Sequence, residues 1–303
     1  MARSQRALPW PRRFSPAASP GTNCSLWWRF WPSLDSAPMP EFCQEPSPPL
    51  PDIDLWLLST ETVEAADLAV LKTCLGPQEQ AQLQRLGTAR AQRQLTLSRG
   101  CLRHLLSRYI EMAPGALSFS YGWRGKPALD PASYGKGTVP QFNLSHSGER
   151  LLVAVSGAAG VRAIGVDLEV LRPVTHLPGL CRRYLTPREA AQVLAQPPSQ
   201  VDQQFLRYWT GKEACLKALG LGIADSMQSL ELALTDLELT PEVTPAGVTV
   251  QGDLDHPGQL YQWRPEPGYV GAIAVQLAPQ LTPNFRLYQT TPAGLIGDRW
   301  ERR

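Results

Sequence analysis

Residues 206–223 read LRYWTGKEACLKALGLGI, and the way this stretch is read decides the rest of the chain. Leu206, Tyr208, Trp209 and Leu216 recur at helical spacing, with no helix breaker before Gly220 apart from Gly211. Yet Lys212, Glu213 and Lys217 fall inside the same run. Charges beside a core are costly unless they pair, snorkel to solvent, or meet an ion or ligand. Glu213 and Lys217 stand four apart on the face that carries Leu206 and Trp209. A plain salt bridge accounts for them in one reading; a ligand site at the edge of a core does so in the other. Gly211 costs about 1 kcal/mol in mid-helix, and is expected to loosen it. Lys212, one residue off that face, is likewise expected to snorkel to solvent or to meet a partner outside this chain. Cys215 reads as a small apolar filler, because no nucleophile signature surrounds it.

Upstream, VRAIGVDLEVLRP (161–173) reads as a strand ended by Pro173. Alternation puts Asp167 and Glu169 on one face and Val166 and Leu168 on the other. Two carboxylates on one face repel each other, and a divalent cation relieves that repulsion; oxygen-only ligands suit Mg²⁺ or Mn²⁺. Exposed carboxylates on a strand edge remain the alternative. A third carboxylate, Glu213, together with Lys217, supplies what metal-assisted phosphoryl transfer needs.

Further strands are expected in DIDLWLL (52–58), FNLSHSGERLLVAVSG (142–157), LELALTDLEL (230–239), GVTVQG (247–252), LYQWRP (260–265) and YVGAIAVQL (269–277). ALSFSYGWRGKPAL (116–129) reads as a strand, a turn at Gly125 and an extended exit. Apolar positions at helical spacing run from about Pro77 to Tyr109, and TPREAAQVLAQ (186–196) opens with a Thr186 cap and Pro187. Strands grouped with helices, rather than strictly alternating, indicate an α+β fold. Arg85, Arg90, Arg93, Arg99 and Arg103 stud the helical stretch, either as a solvated face or as a phosphate site.

The composition is that of a globular chain. Of 303 residues, 43% are hydrophobic and 18% charged, and the net charge of +2 is too mild to argue for nucleic acid or an anionic membrane. No apolar run approaches the roughly 18 residues that span a bilayer. The six cysteines are scattered singles without C-x-x-C spacing, which fits a reducing cytoplasm and argues against structural zinc. The first fifty residues are dense in Pro and Ser, so residues 1–51 are expected to be a disordered extension, with Met39 as an alternative start. Past Leu281 the pattern fades, and 281–303 is expected to be a tail.

Four blocks taken in order carry a resemblance: RGKPAL (124–129), FNLSHS (142–147), IGVDLEVLRP (164–173) and FLRYWTGKEACLKALGLGI (205–223). From Ile53 to Leu277 the chain resembles the Sfp-type 4′-phosphopantetheinyl transferases, and among them the cyanobacterial HetI-like members. G-V-D-L-E paired with W-x-x-K-E-A is the specific part.

The resemblance implies a cytoplasmic monomer of two pseudo-symmetric α+β halves, 52–160 and 161–280, with coenzyme A and Mg²⁺ in the cleft between them. Asp167, Glu169 and Glu213 would be metal ligands, with Glu213 also the base for a serine hydroxyl and Lys217 at the pyrophosphate. Lys126, Ser145 and His146 would contact coenzyme A, His146 near its 3′-phosphate, while Arg90 and Arg93 would meet the nucleotide end. The implied reaction transfers 4′-phosphopantetheine to a serine of an apo acyl or peptidyl carrier protein and releases adenosine 3′,5′-bisphosphate. The alternative is a non-catalytic coenzyme A or carrier-binding module of the same fold.

Overall fold

The computed structural model describes residues 51–122, 124–134, 139–222, 227–234, 239–250, 255–278, 280–299 and 301–302. Residues 1–50 of the Pro-rich extension lie outside them. From its start the described chain runs β1 (Asp52–Ser59), α1 (Ala65–Thr73), α2 (Pro77–Arg85), α3 (Ala89–Ile110), β2 (Phe119–Tyr121), β3 (Pro127–Leu129), β4 (Gln141–Ser147) and β5 (Arg150–Ser156). It continues with β6 (Val161–Val170), α4 (Leu177–Tyr184), α5 (Pro187–Leu194), α6 (Val201–Leu219), β7 (Leu230–Ala233) and β8 (Thr244–Val250). Last come β9 (Gln259–Trp263), β10 (Tyr269–Leu277), β11 (Asn284–Thr290), α7 (Pro292–Ile296) and β12 (Glu301–Arg302).

The fold is α+β, built on two five-stranded sheets ordered β12-β11-β1-β5-β4 and β6-β10-β9-β8-β7. A short β2–β3 hairpin turns at Gly125, whose φ of 77° suits glycine. The periodic stretch from Pro77 divides into α2 and α3, because Thr88 caps the second helix by accepting from Ala91 N.

Three apolar layers hold the sheets and helices together. Trp56, Leu58, Val153 and Val155 of the first sheet pack on Leu102, Leu105 and Leu106 of α3. Ile53, Leu55 and Leu152 meet Val166, Leu168 and Ile273 between the sheets. Ala272 and Ala274 of the second sheet pack on α6 through Leu206, Ala214 and Ala218. Strands such as β1, β5 and β10 are therefore covered on both faces, which explains their continuous apolar runs.

Two glycines let α6 settle onto its sheet. A Cβ at Gly165 would lie 2.0 Å from Ala214 O and 2.2 Å from Ala218 N, so only glycine lets the helix cross β6 there. Gly211 plays the same part beside β7 and β9, where a Cβ would meet Leu232 Cδ1 at 2.6 Å. The expected loosening by Gly211 is replaced by close packing: the helix forms unbroken through it.

The expected tail is also corrected, because residues 284–290 form β11, which pairs parallel with β1 from Asp52 to Leu58. Arg286 Nε donates to the buried Asp54 Oδ1 at 2.5 Å, Tyr288 stacks on Trp56 at 4.4 Å, and Leu295 of α7 is fully buried. The strand was hard to read because its residues are half-buried and mix polar with aromatic side chains.

Candidate active site

The two sheets meet edge to edge at β4 and β6, and the seam is closed by side chains. On the β4 face opposite Phe142 and Leu144, Asn143 Oδ1 accepts from Val166 N at 2.8 Å. Ser145 Oγ accepts from Leu168 N at 3.3 Å, and Ser147 Oγ accepts from Val170 N at 3.0 Å. From other elements, Lys126 Nζ donates to Ile164 O at 2.9 Å and Lys217 Nζ to Val166 O at 3.2 Å. The outer edge of β6, with its row of unsatisfied amides and carbonyls, is thus paired without a neighbouring strand.

This seam carries the predicted carboxylates. Asp167 is buried; its Oδ1 accepts from Ser145 Oγ at 2.7 Å and from Lys217 Nζ at 2.7 Å. Glu169 accepts from Ser147 Oγ at 2.9 Å and has Arg172 at 3.8 Å. Gly165 brings α6 down on this face, so Glu213, one turn before Lys217, looks towards both carboxylates. Burial, then the Asp167 charge, raise the Glu213 carboxyl to about 7, with Lys217 opposing and Glu169 adding. Burial and Asp167 likewise raise Glu169.

Among the described residues no three acidic, histidine or cysteine side chains already converge at metal-ligand spacing. One oxygen of Asp167 is instead held by Lys217 at 2.7 Å. The donor set nevertheless fits a hard divalent cation. Among the described residues Asp167 Oδ2 is buried with no hydrogen-bond partner, and buried Glu213 feels the charges of both Asp167 and Glu169. Carboxylates that repel one another in a buried place are the environment that oxygen-seeking ions neutralise.

A pocket of about 110 Å³ opens on the other face of β4, where Arg90 and Arg93 of α3 come together with His146, Ser98, Thr60 and Arg150. Burial and Lys217 lower the His146 imidazole below its ordinary range, so it is mostly neutral at pH 7. The remaining predicted contacts lie elsewhere. Ser145 is buried, with its one proton and both lone pairs engaged by Asp167, Leu168 N and Lys217. Lys126 turns inward to Ile164 O and Lys217 O, and burial beside Lys217 lowers it to about 8.

Lys212 departs from expectation altogether. It is fully buried, pairs with Glu189 Oε2 at 2.6 Å, and donates to Met227 O and Leu230 O. Glu189 in turn closes the Thr186 capping box of α5 and accepts from Leu232 N. Arg103 is also structural, held by Glu79 at 2.6 Å and by two carbonyls. Cys215 is buried and its thiol pushed up to about 12, which makes it inert. Asn143 and Ser147 escaped notice in the sequence, although polar residues at every second position of a buried strand were the available signal.

The α+β fold thus carries an acidic cluster with a lysine at one end, beside an arginine- and histidine-lined pocket of the kind that suits phosphate groups. A model of the 4′-phosphopantetheinyl transferase superfamily matches residues 163–273, and one of the N-terminal region of 4′-phosphopantetheinyl transferases matches 62–158. The chain is 39% identical over 187 residues to the 4′-phosphopantetheinyl transferase HetI of a Nostoc species, covering 62% of this chain and 76% of HetI. It is 36% identical over 118 residues to the transferase AcpT of Salmonella typhi, or 39% of this chain and 56% of AcpT. To the 4′-phosphopantetheinyl transferase of Bacillus subtilis it is 32% identical over 120 residues, or 36% of this chain and 51% of that protein. The chain belongs to the 4′-phosphopantetheinyl transferase family and is an enzyme of that class. No helix among the described residues is long and apolar enough to cross a membrane.

Proposed function

We propose that this enzyme moves the 4′-phosphopantetheine group of coenzyme A onto a serine of acyl or peptidyl carrier proteins in a Mg²⁺-dependent reaction. The observation that carries the reading is the free Oδ2 of buried Asp167 with the raised carboxyls of Glu169 and Glu213 around it, beside Lys217. Asp167, Glu169 and Glu213 would hold the ion, which on binding draws charge from the pyrophosphate oxygens. Arg90, Arg93 and His146 would take the nucleotide end of coenzyme A in their pocket. The carrier serine oxygen attacks the phosphorus nearer pantetheine, Glu213 takes its proton, and adenosine 3′,5′-bisphosphate departs. Lys217 offsets the charge growing on the leaving phosphate. Lys126 and Ser145 support this arrangement from behind, Lys126 by tying α6 to β6. The family's two halves would centre on the two sheets, parting near residue 160 with 284–302 returning to the first, and would act as one cytoplasmic monomer.

The test is carrier modification by the full chain with apo-carrier, coenzyme A and Mg²⁺. Glu213→Gln should lower the rate by about 10² to 10⁴. Coenzyme A binding without any modification of several apo-carriers would replace this reading with the non-catalytic module.

A further inference from the structure

We propose that Ser147 is a positioning residue for the metal-holding carboxylates, the second rung of a serine ladder through which the first sheet sets Asp167 and Glu169 on the second. The inference rests on the reading of those carboxylates as metal ligands. Ser145 and Ser147 make the same two contacts one rung apart. Ser145 donates to Asp167 Oδ1 at 2.7 Å while accepting from Leu168 N at 3.3 Å. Ser147 donates to Glu169 Oε2 at 2.9 Å while accepting from Val170 N at 3.0 Å. The amides are fixed by the pairing of β6 with β10, where Asp167 faces Ala272 and Glu169 faces Val270. A hydroxyl has a single proton. Each rigid amide therefore orients a hydroxyl, and each hydroxyl sends its proton to a carboxylate.

The spacing makes the device possible. S-x-S and D-x-E both advance two residues per step, so one offset between the strands serves both rungs. Asn143 continues the row at Val166 N, but the residue facing that rung is Gly165, which has no side chain to orient. Nature has thus placed a seam contact without a carboxylate beside two that have one. Without Ser147, the partner left to Glu169 is Arg172, 3.8 Å away and about half exposed. Attraction to Arg172 and repulsion from Asp167 would both pull Glu169 from its present place. Ser147 opposes both by holding Oε2.

Partners in this outer position typically change metal affinity by 10- to 100-fold. The experiment is a Mn²⁺ titration of the metal-stripped full chain, read by the electron paramagnetic resonance of free Mn²⁺, without coenzyme A or carrier. Ser147→Ala should weaken Mn²⁺ binding roughly tenfold or more, and Ser147→Thr, which keeps the hydroxyl, should return to within about threefold. Ser147→Cys, with its volume kept and a weaker donor, should fall between them. Asn143→Ala should lower the melting temperature and leave Mn²⁺ affinity unchanged. Wild-type affinity in Ser147→Ala would overturn the proposal, and so would an equal loss in Asn143→Ala, which would make the seam itself the cause. Failure of the wild-type chain to bind Mn²⁺ would overturn the metal reading and this proposal with it.

Discussion

Lys217 Nζ lies 2.7 Å from Asp167 Oδ1, so the lysine proposed for the pyrophosphate is also the counter-ion of a proposed metal ligand. Its three protons already have acceptors in Ser145 Oγ, Val166 O and Asp167 Oδ1. On the proposed reading, a cation held by the carboxylates would compete with Lys217 for Asp167 and free its side chain for a phosphate. Lys217→Met should separate these roles. Lys217 is only part-buried, so its removal leaves the Asp167 charge poorly compensated at a cost of about 1 to 3 kcal/mol. The metal-stripped variant should therefore melt below wild type. Its Mn²⁺ affinity should rise roughly tenfold, because the competing charge is gone, and added Mn²⁺ should restore much of the lost stability. Carrier modification should fall at every Mn²⁺ concentration. Calorimetric melting with and without Mn²⁺ checks the first pair of effects; unchanged Mn²⁺ affinity would show that the lysine does not compete.

Glu213 gives the pH dependence a sign. Its folded pKa is about 7 against an ordinary 4.5, so the folded chain holds that proton more tightly than the unfolded one. In the metal-stripped protein its contribution is fully present below about pH 4.5 and is lost as pH rises through 7. Glu213→Gln keeps the shape and removes the charge. The variant should match wild type near pH 4.5 and exceed it by about 3 kcal/mol at pH 8. Urea unfolding at both pH values reads this directly, and equal stability at pH 8 would mean that the carboxylate is not strained by its neighbours.

Much of this arrangement was legible because it is local. The alternation that pairs Asp167 with Glu169, and the four-residue step from Glu213 to Lys217, need no tertiary information. What could not be read depends on partners far along the chain. Asp54 and Arg286 are 232 residues apart, and their contact turns an apparent tail into a sheet strand. Lys212 stands one residue from the site face, yet its partner is the capping residue of another helix, Glu189. Ser145 was expected at a ligand, and the seam with β6 consumes all its hydrogen-bonding capacity instead.

The Lys212–Glu189 pair should behave as an anchor for α6. With both side chains fully buried, Lys212→Met strands a carboxylate and two backbone carbonyls, at a cost of about 3 to 5 kcal/mol. Glu189 takes Thr186 N on one oxygen and Leu232 N on the other, so Glu189→Gln sets its NH2 against one of these amides and leaves the Lys212 charge without a counter-ion, at a comparable cost. If Lys212 instead reached a phosphate, its loss would raise the KM for coenzyme A and spare stability. Urea unfolding alongside steady-state kinetics distinguishes the two.

The last prediction concerns the C-terminal segment. Ending the chain after Leu281 removes β11, α7 and β12. The parallel pairing along β1 from Asp52 to Leu58 goes with them. Asp54 is buried, and it would lose Arg286 while keeping only the Tyr109 hydroxyl at 2.6 Å. Trp56 would lose its stacked Tyr288, and the fully buried Leu295 would leave a hole against α3. An edge strand rich in Leu with unpaired amides is also a template for association. The truncated protein should therefore melt well below the full chain and aggregate on heating, although no residue of the proposed site has been removed. Light scattering during a thermal ramp, compared with the full chain, is the measurement. A truncated protein that stays monomeric and melts at the wild-type temperature would mean that β11 adds nothing to the sheet.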